Sequence, residues 1–177
     1  KIDLSVSLLE VLRQAESQGL DAAAIERVYN EYFSFQTRKK AVPYQGILEL
    51  TPLCNLNCKM CYVHLMPQQM GERCLLPTDV WLDLINQAEK AGMTKAALTG
   101  GECLTYPGFD EIYLHLQTLG IRTAVLTNGI LLNEDRIRFF QRYPPALIQL
   151  TLYGASEDEY EQVCGGRCFE TVLTNIR

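Results

Sequence analysis

No apolar run in this sequence approaches the ~20 residues needed to cross a bilayer as a helix, so a helical membrane span is not expected. The first residues lack the basic-then-apolar pattern of a secretion signal. The 16 lysines and arginines are scattered rather than striped, and the net charge is −5. Both points argue against a nucleic-acid partner, which would gather basic residues on one face. No internal repeat and no low-complexity tract is present. With 47% apolar and 21% charged residues over 177 positions, what remains is the balance of a soluble globular protein of about one domain. The chain begins at Lys1 rather than Met, and the natural start is expected upstream.

Cysteine, by contrast, is plentiful. Seven occur, at 54, 58, 61, 74, 103, 164 and 168, and three of them crowd into eight residues. An odd number without a secretion signal does not suit a disulfide scaffold. Metal binding in a reducing, cytoplasmic compartment suits it better.

Two segments are predicted, 1–42 and 43–177. In the first, Leu4, Leu8, Leu9 and Leu12 recur at helical spacing. Gly19 interrupts that pattern, and Asp21 is placed to cap a second helix through about Phe35. Arg38, Lys39, Lys40 and Pro43 read as a linker. This segment is expected to be a helical hairpin packed on the main domain; a peptide-docking role is the alternative. From Gly46 onward strand and helix patterns alternate. Strands are predicted at 47–51, 95–99, 122–127 and 147–152, and helices at 79–91 (capped by Thr78), 109–119, 134–141, 157–164 and from Phe169. This alternation predicts an α/β fold with a parallel sheet of right-handed βαβ units. Four strands are too few to close a barrel, and parallel sheets need both faces covered. The chain is therefore expected to be the first part of a larger barrel.

The segment from Thr51 to Tyr62 contains Cys54, Cys58 and Cys61 and follows the first strand directly. It lies at the carboxyl end of the sheet, where parallel barrels build their sites. Three thiolates in one loop can hold three irons of a cubane and leave the fourth iron without a protein ligand. A closed Cys₃His zinc site with His64 is the alternative.

Further motifs stand at the ends of the next three strands: Gly100-Gly101-Glu102, Thr127-Asn128-Gly129, and Thr151-Leu-Tyr-Gly154. Together with the Cys-x₃-Cys-x₂-Cys spacing and the aromatic Tyr62, they make residues 46–177 resemble the radical S-adenosylmethionine superfamily. That resemblance implies a partial (β/α)6 barrel, a [4Fe–4S] cluster on Cys54, Cys58 and Cys61, and S-adenosylmethionine as cofactor. It implies that the cluster, reduced by a flavodoxin- or ferredoxin-type electron donor, cleaves this cofactor to methionine and a 5′-deoxyadenosyl radical.

Each motif residue carries a functional and a plainer reading. At Gly100 and Gly101 the backbone can approach a ligand closely, and Glu102 can add a charge-assisted bond. The resemblance implies that this edge holds the amino group of the methionyl moiety; a tight turn is the alternative. Tyr62 is implied beside the adenine, or is ordinary packing. Thr151 offers a hydroxyl to the ribose, or serves strand propensity. Asn128 is a polar contact to the cofactor or a turn residue. Arg167 reads as a solvated loop arginine, with the cofactor carboxylate as the alternative. Cys103, where many members have proline, reads as a variant of the turn. Cys164 and Cys168 have a metal-like spacing but offer only two ligands.

The sequence Leu98-Thr-Gly-Gly-Glu-Cys-Leu104, with Leu126–Gly129 and Leu152–Ser156, resembles the branch that modifies peptides and proteins, the SPASM-type maturases. A peptide or protein substrate is the expectation. A small-molecule enzyme of cofactor synthesis and a non-catalytic zinc module are the alternatives. A chain ending at Arg177 is expected to be inactive alone.

Overall fold

The structure is a computed structural model that describes residues 2–63, 65, 67–70 and 74–177. The chain divides into two compact units, the first through Tyr44 and the second Gln45–Arg177.

The first unit is a pair of helices, α1 (Leu8–Ser17) and α2 (Ala22–Lys40). Each starts on a side-chain cap: the Ser7 hydroxyl accepts from the Glu10 amide, and the Asp21 carboxylate from the Ala24 amide at 2.7 Å. The buried face of α1 is Val11 and Ala15, one turn apart. The predicted leucine stripe does not form that face. Leu4 precedes the helix, and Leu9 is 60% exposed. The basic stretch Arg38–Lys40, expected as a linker, is instead the last turn of α2. Three cations there face the negative end of the helix dipole and favour continuation. The helix stops at Ala41, whose φ of 54° is left-handed and whose amide bonds back to Arg38 and Thr37.

The second unit is built on four parallel strands, β1 (Gln45–Thr51), β2 (Lys95–Gly100), β3 (Arg122–Thr127) and β4 (Leu147–Leu150), in the order β1-β2-β3-β4. Between them run α3 (Thr78–Lys90), α4 (Phe109–Thr118) and α5 (Glu134–Arg142); α6 (Glu157–Cys164) and α7 (Phe169–Ile176) follow. Sequential parallel order with a helix in each crossover is the βαβ arrangement, an open arc of a barrel. Thr78 does not cap α3. It is the first helical residue, after Pro77, and its hydroxyl lies 3.3 Å from the Tyr106 hydroxyl. β4 is shorter than expected. Thr151 still donates to Thr127, but at 3.4 Å, as the ladder runs out.

Side chains alternate across the sheet with period two. Ala96, Leu98, Thr123 and Val125 are buried. The core there packs Leu98 and Val125 with Ile85, Phe109, Ile112, Tyr113, Leu116 and Phe140. The opposite parity, with Ile47, Glu49, Thr99, Leu126 and Gln149, lines a cavity. The sheet thus has a dry face under its helices and a hollow face on the inside of the arc. Among the described residues no helix is long and apolar enough to cross a membrane.

Candidate functional site

The loop after β1 that carries the three cysteines is pinned on two sides. At its start, the Thr51 carbonyl accepts from the Gly101 amide at 2.8 Å, and the Leu53 carbonyl from the Glu102 amide at 2.9 Å. That approach leaves no room for a side chain. A Cβ on Gly100 would sit 2.2 Å from the Thr51 oxygen, and one on Gly101 2.4 Å from the Leu53 oxygen. Gly100 also has a φ of +149°, which other residues rarely adopt. The two glycines therefore let backbone meet backbone on one side, while they line a cavity on the other. Further along, the Asn57 and Lys59 amides donate to the Cys164 and Val163 carbonyls, each at 2.9 Å. These carbonyls belong to the last turn of α6, which has no intrahelical donor for them. The end of one helix thus captures the cysteine loop.

Glu102 joins the second strand end to the third. Its side chain is almost fully buried. One oxygen accepts from the Leu104 amide at 3.1 Å and the Thr127 hydroxyl at 2.9 Å; the other accepts from the Asn128 amide at 2.8 Å. The carboxylate is thus occupied inside the protein and is not part of the cavity wall, unlike the direct ligand contact the motif suggested. Burial pushes its pKa above the ordinary 4.5, although its hydrogen-bond donors pull the other way. A carboxyl raised on folding is most favourable to the folded state below 4.5, and that contribution is lost as pH rises through the folded value. Glu102→Gln is therefore expected to show a flatter stability–pH curve above 4.5 than the native protein. Urea titrations at several pH values check this; parallel curves would contradict it.

Asn128 continues the chain of contacts. Its side-chain NH₂ donates to the Asn55 side-chain oxygen at 2.7 Å and lies 3.8 Å from the Cys54 sulfur, while its oxygen accepts from the Ile130 amide at 3.1 Å. Glu102 therefore holds Asn128, and Asn128 holds the cysteine loop. The three strand-end motifs form one hydrogen-bonded frame.

Within that frame lies a cavity of about 360 Å³. Cys54, Cys58, Cys61, Tyr62, Gly100, Gly101, Asn128 and Thr151 all line it, so the cluster and cofactor residues expected from sequence meet there, apart from Glu102. The three cysteines are not equivalent. Cys58 is buried, Cys54 half-buried and Cys61 exposed. Burial raises the Cys54 thiol, with the Leu56 amide opposing, and burial raises Cys58, with a hydrogen bond from Cys164 opposing. Neutral thiols of this kind lose their protons on binding a metal, which couples binding to proton release. Tyr62 is 96% exposed at the cavity mouth.

Among the described residues, no three His, Cys, Asp or Glu side chains converge to hold one metal ion. His64, the fourth ligand of the zinc alternative, lies outside the described residues. A cubane cluster distributes its thiolates over separate irons. Cys54, Cys58 and Cys61 all line one cavity, and three thiols are the donor set that such a cluster would take.

Two neighbours of the site were not assigned to it from the sequence. Tyr153 lines the cavity, and burial first and Cys58 next push its hydroxyl up to about 12. Its position two residues past Thr151 was the available signal. Cys164 is fully buried against Cys58, and its thiol is likewise raised to about 12, burial first and Cys58 next. Its only signal was a spacing that pointed at Cys168 instead. Cys103 is buried and its S–H donates to the Leu126 carbonyl at 3.2 Å; burial drives its pKa far up, which makes it an inert part of the turn. Arg167 is exposed and pairs with Asp158 and Glu161, outside the cavity wall.

The sequence model described as the Radical SAM superfamily matches residues 48–177. An uncharacterized protein of Methanocaldococcus jannaschii is 30% identical over 130 residues, which cover 73% of this chain and 41% of that protein. The PqqA peptide cyclase of Streptomyces rochei is 27% identical over 135 residues, 76% of this chain and 36% of the cyclase. Streptococcus suis SuiB, solved bound to the precursor peptide SuiA, superposes with a TM-score of 0.64 at 17% identity, over 85% of this chain and 34% of SuiB. SuiB bound to S-adenosylmethionine superposes at 0.61, again with 17% identity, over 88% of this chain and 35% of SuiB. This chain spans well under half the length of the relatives it matches.

Proposed function

Because this chain belongs to the radical SAM superfamily, we propose that Cys54, Cys58 and Cys61 hold a [4Fe–4S] cluster that, once reduced, cleaves S-adenosylmethionine to methionine and a 5′-deoxyadenosyl radical able to take hydrogen from a peptide or protein. The observation that carries this reading is the shared cavity: three thiols from the β1 loop face the ends of β2, β3 and β4 across it.

The protein's own residues divide the work. The backbone edge at Gly100 and Gly101 receives the amino group of the cofactor. Asn128 and Thr151 supply an amide and a hydroxyl to its polar atoms, and Tyr62 flanks the adenine. Glu102 acts one layer behind, holding Asn128 and the turn rather than touching the ligand. The hollow face of the sheet, with Thr99, Leu126 and Gln149, supplies the wall behind these residues.

The peptide-modifying branch is favoured by the Leu98–Leu104 motif, by likeness to a peptide cyclase, and by likeness in fold to SuiB, which was solved with a precursor peptide. We read 43–177 as the opening part of the core barrel, served by a flavodoxin- or ferredoxin-type donor. We read the whole protein as cytoplasmic, where thiols of a cluster site stay reduced.

The test is anaerobic incubation of the whole, reconstituted protein with dithionite and S-adenosylmethionine. Chromatography is expected to show 5′-deoxyadenosine and methionine in equal amounts, and deuterium from a labelled peptide substrate in the 5′-deoxyadenosine. Absence of both products from a protein holding its full iron and sulfide would contradict the reading.

A further inference from the structure

Cys164 lies outside all four strand-end motifs, yet it touches one of the three proposed cluster ligands. Its side chain packs with that of Cys58 in one small buried cluster, and beside a ligating thiolate a neutral thiol can act only as donor. The contact is fixed by more than the two side chains. The amides on either side of Cys58, those of Asn57 and Lys59, donate to the carbonyls of Cys164 and Val163, each at 2.9 Å. Two backbone bonds therefore hold Cys58 against the end of α6. Gly165, left-handed at φ 73°, ends the helix there and keeps the Cys164 carbonyl turned to the loop. Leu56, Tyr160 and Val172 complete that cluster, a low-dielectric setting in which a hydrogen bond is stronger than in water. Cys61, by contrast, is exposed.

We propose that Cys164 is a positioning residue that donates an S–H hydrogen bond to the Cys58 thiolate and thereby raises the reduction potential of the cluster; this rests on the cluster reading above. Reduction adds one negative charge to the cluster and its sulfurs. A donor to a ligand sulfur is strengthened by that charge and so favours the reduced form. Cys168, four residues on, is the natural control. Its S–H lies 3.7 Å from the Gly166 carbonyl and is directed there.

The experiment is a redox titration of the whole, anaerobically reconstituted protein, followed by the electron paramagnetic resonance of the reduced cluster, with iron and sulfide assayed on each sample. In Cys164→Ala the ratio of reduced to oxidised cluster at fixed potential is expected to fall about tenfold, equivalent to about 59 mV for a one-electron couple. Cys164→Ser keeps a donor and is expected to recover most of the shift, and Cys168→Ala to match the native protein. Cys164→Val fills the space without a donor and is expected to repeat the alanine result where alanine weakens folding. An unchanged midpoint in the alanine or valine variant, at native iron and sulfide content, would overturn the proposal and leave the cluster reading intact. A native protein that binds no sulfide would overturn both.

Discussion

Replacing Cys61 with alanine is expected to strip the protein of its cluster while leaving it folded. Cys61 is exposed, and the bond from its amide to the Cys58 carbonyl does not involve the side chain. A substitution at such a site changes stability by no more than about 0.5 kcal/mol. As a proposed ligand, however, it is one of only three, and a cubane with two thiolates has no stable seat. Bound iron is expected to drop from about four per chain to below one after reconstitution, and 5′-deoxyadenosine formation to disappear with it. Thermal denaturation on the same sample is expected to match the native apoprotein. Cys103→Ala is the contrasting variant. Its thiol is buried under the Glu102 turn and bonds Leu126, so its loss is expected to cost about 1–2 kcal/mol and no iron. Full iron retention in Cys61→Ala would remove that residue from the ligand set.

Gly100→Ala is expected to be the most destabilising single-methyl change in the second unit. The new Cβ would stand 2.2 Å from the Thr51 carbonyl oxygen, and the backbone atoms on both sides are held by the sheet. The φ of +149° adds strain to the clash. Together these exceed about 3 kcal/mol, which for a chain of this size lowers the melting temperature by about 10 °C. Gly120→Ala separates the two causes. Gly120 also has a left-handed φ, at +70°, but nothing lies within 4 Å of where its Cβ would be. It is expected to cost about 1–2 kcal/mol. Equal losses in the two variants would show that the close approach of the β1 loop is not what Gly100 is for.

These two glycines also show what a sequence reveals and what it conceals. Gly100-Gly101-Glu102 was recognisable as a motif, and its place at the end of β2 followed from the alternation of strand and helix. Its internal geometry did not. The turn's glycines make room for the Thr51 and Leu53 carbonyls, some fifty residues away, and Glu102 turns inward to Thr127 and Asn128. Such contacts depend on which loops the sheet order brings together, and residue spacing carries no trace of that order. Cys164 is the sharper case. Its contact with Cys58 arises because α6 ends beside the β1 loop, whereas its local spacing suggested a pairing with Cys168. In the first unit the misreading was local. Arg38–Lys40 has the composition of a linker, but cations at a carboxyl-terminal turn stabilise a helix, and α2 runs through them. The period-two pattern of the strands was the most transparent feature. Leu98 and Val125 pack under the helices while Thr99 and Leu126, their neighbours, line the cavity.

The central claim is that three thiolates at the mouth of this cavity hold an iron–sulfur cluster rather than a single ion. Iron, acid-labile sulfide and zinc, measured together on the anaerobically reconstituted protein, test it most directly. The expected result is about four irons and four sulfides per chain, with zinc near zero. One tightly bound zinc per chain without sulfide, retained against added iron, would contradict it and return the Cys₃His site with His64.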